Sequence, residues 1–336
     1  MRREKMYLMD DIIATSAKVK FVEKNRHHLL GIFPILERKL QDCPRFLFDE
    51  NAIHTAVELT LERPKVLREA MQFLRIPYTK MWIEWPERGR QKLRDKFEGE
   101  LEPGRPVPTR LGFLLETDEE GRKGTVTWAW ANDPMGVGNA PNVCPISPFF
   151  DLDINHEQPN NHVVGFLDAN LANMWKHNPI QLDALLSIWN TALHKPSEWG
   201  INYLAKSIDM GLSDKKSIAL FYADVYGEYI MIWACLMLLT SSKKIVDLRQ
   251  IDYGNLNVAR TKKGKVPLLD HTVVSIHIDK QIYLHQQRAP LGYDRKSPRI
   301  HMVSSYLARR GDKHWIVQPY WRGSGETISR HVHVKK

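Results

Sequence analysis

Between Arg299 and Lys336 apolar and polar residues alternate in three short runs, and this pattern constrains the fold more than any other stretch. It reads RIHMVSSYLARRGDKHWIVQPYWRGSGETISRHVHVKK. Side chains two apart in a strand share a face, so alternation marks a strand with one buried side. The first run ends at Arg309-Arg310-Gly311-Asp312. The second covers His314 to Trp321, and a Gly-Ser-Gly loop leads to the third, Thr327 to Val334. Alternation on both sides of a Gly-containing turn predicts a β-hairpin, here extended to a three-stranded meander. The stretch carries eight Lys/Arg against two Asp/Glu, a formal +6 of the whole chain's +9.

That charge bears on the partner. A pI near 9.3 favours an acidic one, nucleic acid first and an anionic membrane surface second. At 336 residues the chain is long enough for two domains or one large one. Cys43, Cys144 and Cys235 are an odd and widely spaced set, which argues against a disulfide framework and suits a reducing cytoplasm. No CxxC pair occurs, so no cysteine-built zinc site is expected. MRREKMYLMDD has no apolar core behind its charges and does not read as a signal peptide. The most apolar run, Tyr229 to Leu239, is too short to span a bilayer, so it is read as a buried helix with no membrane role.

Residues 5 to 75 read as helices, from apolar clusters at helical spacing around Leu29–Leu36 and Ala52–Leu59. Asp49 is placed to cap the second, and Pro64 fits the first turn of a third that runs to about Leu74. The segment PYTKMWIEWP, residues 77 to 86, suits a short aromatic strand between prolines. RLGFLLET and TVTWAWAN flank the polar turn DEEGRKG, which predicts a hairpin over 109 to 131. Trp128 and Trp130 share one face of its second strand, either in the core or available for base stacking. Residues 132 to 165 read as loop. Asp151, Asp153, His156 and Glu157 within them fit no standard metal spacing, so no metal is assigned. Helices are expected again from about Asp168 to Leu248, with Glu228 as a buried carboxylate that needs an Arg partner or a site role. Arg260, Lys262, Lys263 and Lys265 make a basic segment around Gly264, able to hold a phosphate backbone or to be a solvated loop. Val273 to Ile278 then reads as a strand.

Three segments, LNVARTKKGKVPLL, WIEWP at Trp82 to Pro86, and LARRGDKHWIVQPYWRGSGETISRHVHV, resemble uncharacterised proteins encoded by bacteriophages and prophages. Those proteins often end in a basic hairpin with the pattern H…RRG…W…PHxRG…SR. Tyr320 stands here where that pattern has a His. The resemblance implies a phage or mobile-element setting, and so the cytoplasm of a bacterial host. It assigns no activity.

The expected fold is therefore α+β: helical layers with an inserted β-hairpin and a C-terminal antiparallel β-sheet that includes Val273 to Ile278. The expected divisions are a helical region over 1–100, a hairpin and loop region over 101–165, and helices plus the terminal sheet over 166–336. Two registers suit the terminal hairpin. If partner residue numbers sum to 621, His301 faces Tyr320; if they sum to 623, it faces Arg322. His301, Tyr320 and Arg322 supply a proton-transfer group, a second donor and a phosphate-binding cation, the set needed for metal-free RNA cleavage. Binding without chemistry asks less of the residues. Arg260, Lys262, Lys263 and Lys265 would join Arg309, Arg310, Lys313, Trp321 and Arg330 in a surface for RNA or DNA, with no cofactor. A third reading is a phage structural protein, or one whose basic tail binds an acidic host protein.

Overall fold

The computed structural model describes residues 7–19, 31–87, 90, 108–132, 141–153, 188, 191–196, 200, 228–241, 246–276, 301–303, 306–310, 313–317 and 320–322. The chain forms two compact units. One comprises Met1–Leu239 with Leu248–Ser275, the other Thr240–Asp247 with Ile276–Lys336.

The first unit is built on a nine-stranded mixed sheet, of which only Val246, Asp247 and Ile276 are assigned to the second unit. Its strands are β1 (Arg45–Phe48), β2 (Lys80–Pro86), β3 (Pro108–Thr117), β4 (Lys123–Asn132), β5 (Asn142–Val143), β6 (Ile146–Asp151), β7 (Ala192–Pro196), β8 (Val246–Ile251) and β9 (His271–Ile276). The order is β7-β6-β4-β3-β2-β1-β9-β8, with β5 also on β4. β1 runs parallel to both β2 and β9. From β2 through β3, β4 and β6 to β7 every pairing is antiparallel.

The hairpin predicted over 109 to 131 is β3–β4, and the aromatic strand predicted over 77 to 86 is β2. Four expectations need correction. The first 75 residues are not all helical, because RFLF forms β1. A four-residue apolar run has no period of its own, and it becomes a strand by pairing with segments far away in sequence. ISPFFD, read as part of a loop rich in Asn, Pro and Gly, forms β6. Ala192–Pro196, read as helix, is β7, and the helix expected to run to about Leu248 gives way at Val246 to β8. Val273 to Ile276 belongs to the main sheet, parallel to β1, and not to a terminal antiparallel sheet.

Two helices, α1 (Leu8–Val19) and α2 (Ile32–Gln41), contribute to the core cluster on one face of the sheet. Leu8, Met9, Ile12, Leu36 and Leu40 meet Leu47, Trp82, Leu114 and Ala129 there. Gly112 lies on this face, and any Cβ there would run into the Trp82 indole. The opposite face carries an aromatic row across three strands. Trp85 stacks on Phe113 at 4.9 Å, Phe113 lies parallel to Trp128 at 6.2 Å, and Trp128 tilts against Trp130 at 5.1 Å. Trp128 is therefore core, and Trp130 is half-buried beside it.

Helices α3 (Glu50–Glu62) and α4 (Pro64–Met71) follow β1. Asp49 caps α3 as predicted, its carboxylate accepting from the Ala52 N–H at 2.8 Å, and Pro64 opens α4. Asp49→Ala is expected to cost about 1 kcal/mol in a urea titration, the usual loss for an N-cap side chain. Residues 228–239 are helical, and every side chain from Tyr229 to Leu238 is buried, in line with the all-round apolar pattern. Trp233 packs edge-on to Phe150, and the Tyr229 and Thr191 hydroxyls share a hydrogen bond. Glu228 is the buried carboxylate that the sequence called for. It receives both terminal nitrogens of Arg90.

The second unit includes four described strands: β10 (His301–Val303), β11 (Tyr306–Arg310), β12 (Lys313–Val317) and β13 (Tyr320–Arg322). They pair antiparallel as β10–β13 and β11–β12. The expected third strand, Thr327 to Val334, lies outside the described residues.

Candidate nucleic-acid interface

Two basic elements stand out in the sequence. The first is α5 (Gly254–Lys262) and the turn after it. The segment expected as a loop is a helix up to Lys262. Gly264 has φ +64°, its N–H donates to Thr261 O, and the Lys265 N–H donates back to Arg260 O. That pair of bonds is a Schellman closure, for which Gly is favoured because it has no Cβ to strain a left-handed conformation. The glycine after a run of cations was the sequence signal for a helix end.

No residue of α5 is buried. A helix without an apolar contact face needs other support. The Asn257 side chain pairs with both the N–H and the carbonyl of Leu268, Arg260 Nε reaches Val266 O, and the Tyr253 N–H donates to Asp270. Arg260 is thus committed in part to the backbone. Lys262, Lys263 and Lys265 are exposed, and no carboxylate among the described residues pairs with them. From Tyr253 to Leu269 there is no Asp or Glu. The result is a rigidly clipped, uniformly cationic arm.

The second element is the terminal strands. Both ladders keep one register, partner numbers summing to 623. His301 is therefore directly opposite Arg322. Tyr320 is opposite Val303, one diagonal step from His301, and Trp321 is opposite Met302. Arg309 is opposite His314 and Arg310 opposite Lys313. Arg330 lies outside the described residues.

A third polar cluster escapes sequence reasoning, because its members come from separate elements. Glu84 on β2 is buried among Trp82 Nε1 (3.1 Å) and the Leu8 and Met9 N–H groups (2.6 and 3.1 Å), all donating to its carboxylate. Arg110 reaches Glu84 at 3.6 Å and Asp11 at 3.0 Å. Burial pushes the Glu84 carboxyl up to about 7, against the pull of Arg110 and the three N–H donors. Asp10 beside it accepts from Tyr7 N–H and Leu269 N–H, and burial raises it too. This is a capping system for the first turn of α1, where carboxylates satisfy N–H groups that have no partner within the helix. His271 is buried beside Tyr7 and Tyr253, with Nδ1 on Leu269 O. Burial lowers its pKa, against the opposing pull of the Leu269 hydrogen bond.

Asp151 pairs with Lys123 at 3.2 Å and Asp153 with Arg122 at 2.7 Å, so neither is arranged as a metal ligand; His156 and Glu157 lie outside the described residues. Among the described residues no three His, Cys, Asp or Glu converge on a metal-sized space, and no helix is long and apolar enough to cross a membrane.

No protein-family model matches this chain, and no curated protein matches it. Among solved structures, AcrVA2 is similar at 13% sequence identity with a TM-score of 0.30, over 94% of this chain and 84% of that one.

Proposed function

We propose that this chain is a phage- or prophage-encoded accessory protein that binds nucleic acid through its basic C-terminal strands, with the α5 arm as a further phosphate contact. The observation that carries the reading is the β11–β12 register. It sets Arg310 against Lys313 and Arg309 against His314. Like charges directly opposite on paired strands destabilise the pairing. A polyanion on the face of the Arg310–Lys313 rung turns that repulsion into attraction, and counterion release from its phosphates then drives binding.

The runner-up is metal-independent RNA cleavage on the same strands. The register at β10–β13 favours it by bringing His301 opposite Arg322, a proton-transfer group beside a phosphate-binding one.

One experiment separates the two. The purified chain is titrated with labelled RNA and DNA across a salt series in EDTA, and substrate integrity is followed in the same samples. Binding is expected to weaken steeply with salt. The triple change Arg309→Gln, Arg310→Gln and Lys313→Gln should flatten the log–log slope by about 2–3. Cleavage that survives EDTA and disappears in His301→Ala would replace the binding reading with the ribonuclease. Absence of binding even at low salt would reject both and turn attention to an acidic host protein.

A further inference from the structure

A cleft of about 360 Å³ opens at the foot of the α5 arm. Phe46 on β1, Leu248 and Gln250 on β8 and Thr272 on β9 line it, with Tyr78 from the loop before β2. Asp270 lines it as well, and its carboxylate accepts the Tyr253 N–H at 2.7 Å, where α5 begins. Cleft and arm are therefore joined directly, and all of these residues lie in the first unit.

Three features of the cleft bear on what it can hold. The first is an open aromatic ring. Tyr78 leans on Phe46, with ring centroids 5.9 Å apart and 33° between the planes, and is still 43% exposed. Phe46 is buried, so the Tyr78 ring is held from behind and presents free surface. Leu248, exposed, adds an aliphatic wall. The second is an unused amide. Thr272 Oγ1 donates to Gln250 Oε1 at 2.9 Å, and the Gln250 Nε2 donors have no partner among the described residues. The third is charge balance. Arg45 and Asp270, the acid and the base of the lining, oppose each other, and Arg45 Nε and Nη1 are already held by the carbonyls of Asp270, Leu40 and Gln41. An anionic group gains little in such a place. A flat, neutral ring with a hydrogen-bonding rim gains a stacking face, an apolar wall and an amide donor at its edge.

We propose that this cleft takes one unpaired nucleobase of a single strand whose phosphates run along the α5 arm. The inference rests on the arm as a phosphate contact, and it adds what lysines alone cannot supply, a preference for unpaired over paired strands. A base within a duplex is stacked and paired, and cannot enter. Lys262, at the far end of α5, stands about 13 Å from the foot at 1.5 Å per residue, the span of about four stacked nucleotides. The base therefore sits in the neutral cleft while the backbone beyond it meets Lys262, Lys263 and Lys265.

The test uses the full chain and fluorescence anisotropy of a labelled single strand and of the duplex of the same sequence, across a salt series in EDTA. Tyr78→Ala should weaken the single strand about tenfold at every salt concentration, the loss typical of one base–aromatic stack. It removes no charge, so the log–log salt slope should stay as in the parent, and duplex affinity should not change. Tyr78→Phe keeps the ring and should keep the affinity. A free nucleoside monophosphate spans none of the arm and should compete only weakly. Thermal melts check that both variants fold, as the exposure of Tyr78 allows. Single-strand binding that ignores Tyr78→Ala, an equal loss in Tyr78→Phe, or a monophosphate that competes as well as the strand would each overturn the base site while leaving the phosphate contact standing. No binding of either form at low salt would reject both.

Discussion

Glu228→Ala is expected to lower the unfolding free energy by about 3–5 kcal/mol. Arg90 and Glu228 are each only 4% exposed, and both guanidinium terminal nitrogens meet both carboxylate oxygens. Arg90 Nε also lies 3.2 Å from Glu87, itself buried. Removing Glu228 leaves a cation that cannot be deprotonated against the apolar wall of the 228–239 helix, with part of its bonding capacity lost. The effect comes from the uncompensated charge and not from the worth of the pair. Replacing both partners together, as in Arg90→Met with Glu228→Leu, should therefore recover most of the loss. Urea titrations of the two variants and the parent decide this. If the single and double changes cost the same, the buried charge is not the source.

The second large effect is a pH dependence at Glu84. Its carboxyl sits at about 7 in the folded chain against an ordinary 4.5, with burial as the first cause. The folded state thus holds a proton that the unfolded state gives up between those values. Its contribution to stability is complete below pH 4.5 and is lost as pH rises through 7. The shift corresponds to about 3 kcal/mol between the two limits. Compared with Glu84→Gln, which does not titrate, the parent should gain that much on going from about pH 8 to the ordinary carboxyl value of 4.5. The window is specific to Glu84, because Asp10 and Asp11, also raised by burial, are present in both proteins. A difference between parent and Glu84→Gln that stays flat across that range would mean the three N–H donors and Arg110 keep the group ionised throughout.

Several elements are legible in short stretches of residues. The β3–β4 hairpin, the aromatic strand β2, the Asp49 cap, Pro64 at the start of α4 and the buried 228–239 helix all follow from patterns spanning a few positions. Such patterns are written locally because their stabilising contacts are local, or because burial on all sides leaves no polar face. Of the candidate site, the cationic composition of the α5 segment and of the terminal stretch is legible in the same way. The alternation narrows the terminal register to two choices, and only the paired backbone selects the one that puts His301 against Arg322.

What sequence alone determined about this protein, then, is its alternating and helical segments, the need of Glu228 for a partner, and where its positive charge lies. The tertiary structure alone decided the rest, because those features depend on residues far apart along the chain. β1 is a strand because Phe46 pairs with Ile83 and Thr272. Glu84 is a helix cap because α1, 76 residues earlier, begins above it. β8 is a strand because it pairs with β9, last in the sheet order of the described residues. A four-residue apolar run, a glutamate in a strand and a mixed hexapeptide have no local preference strong enough to announce those roles. Pairing free energy between distant segments assigns them.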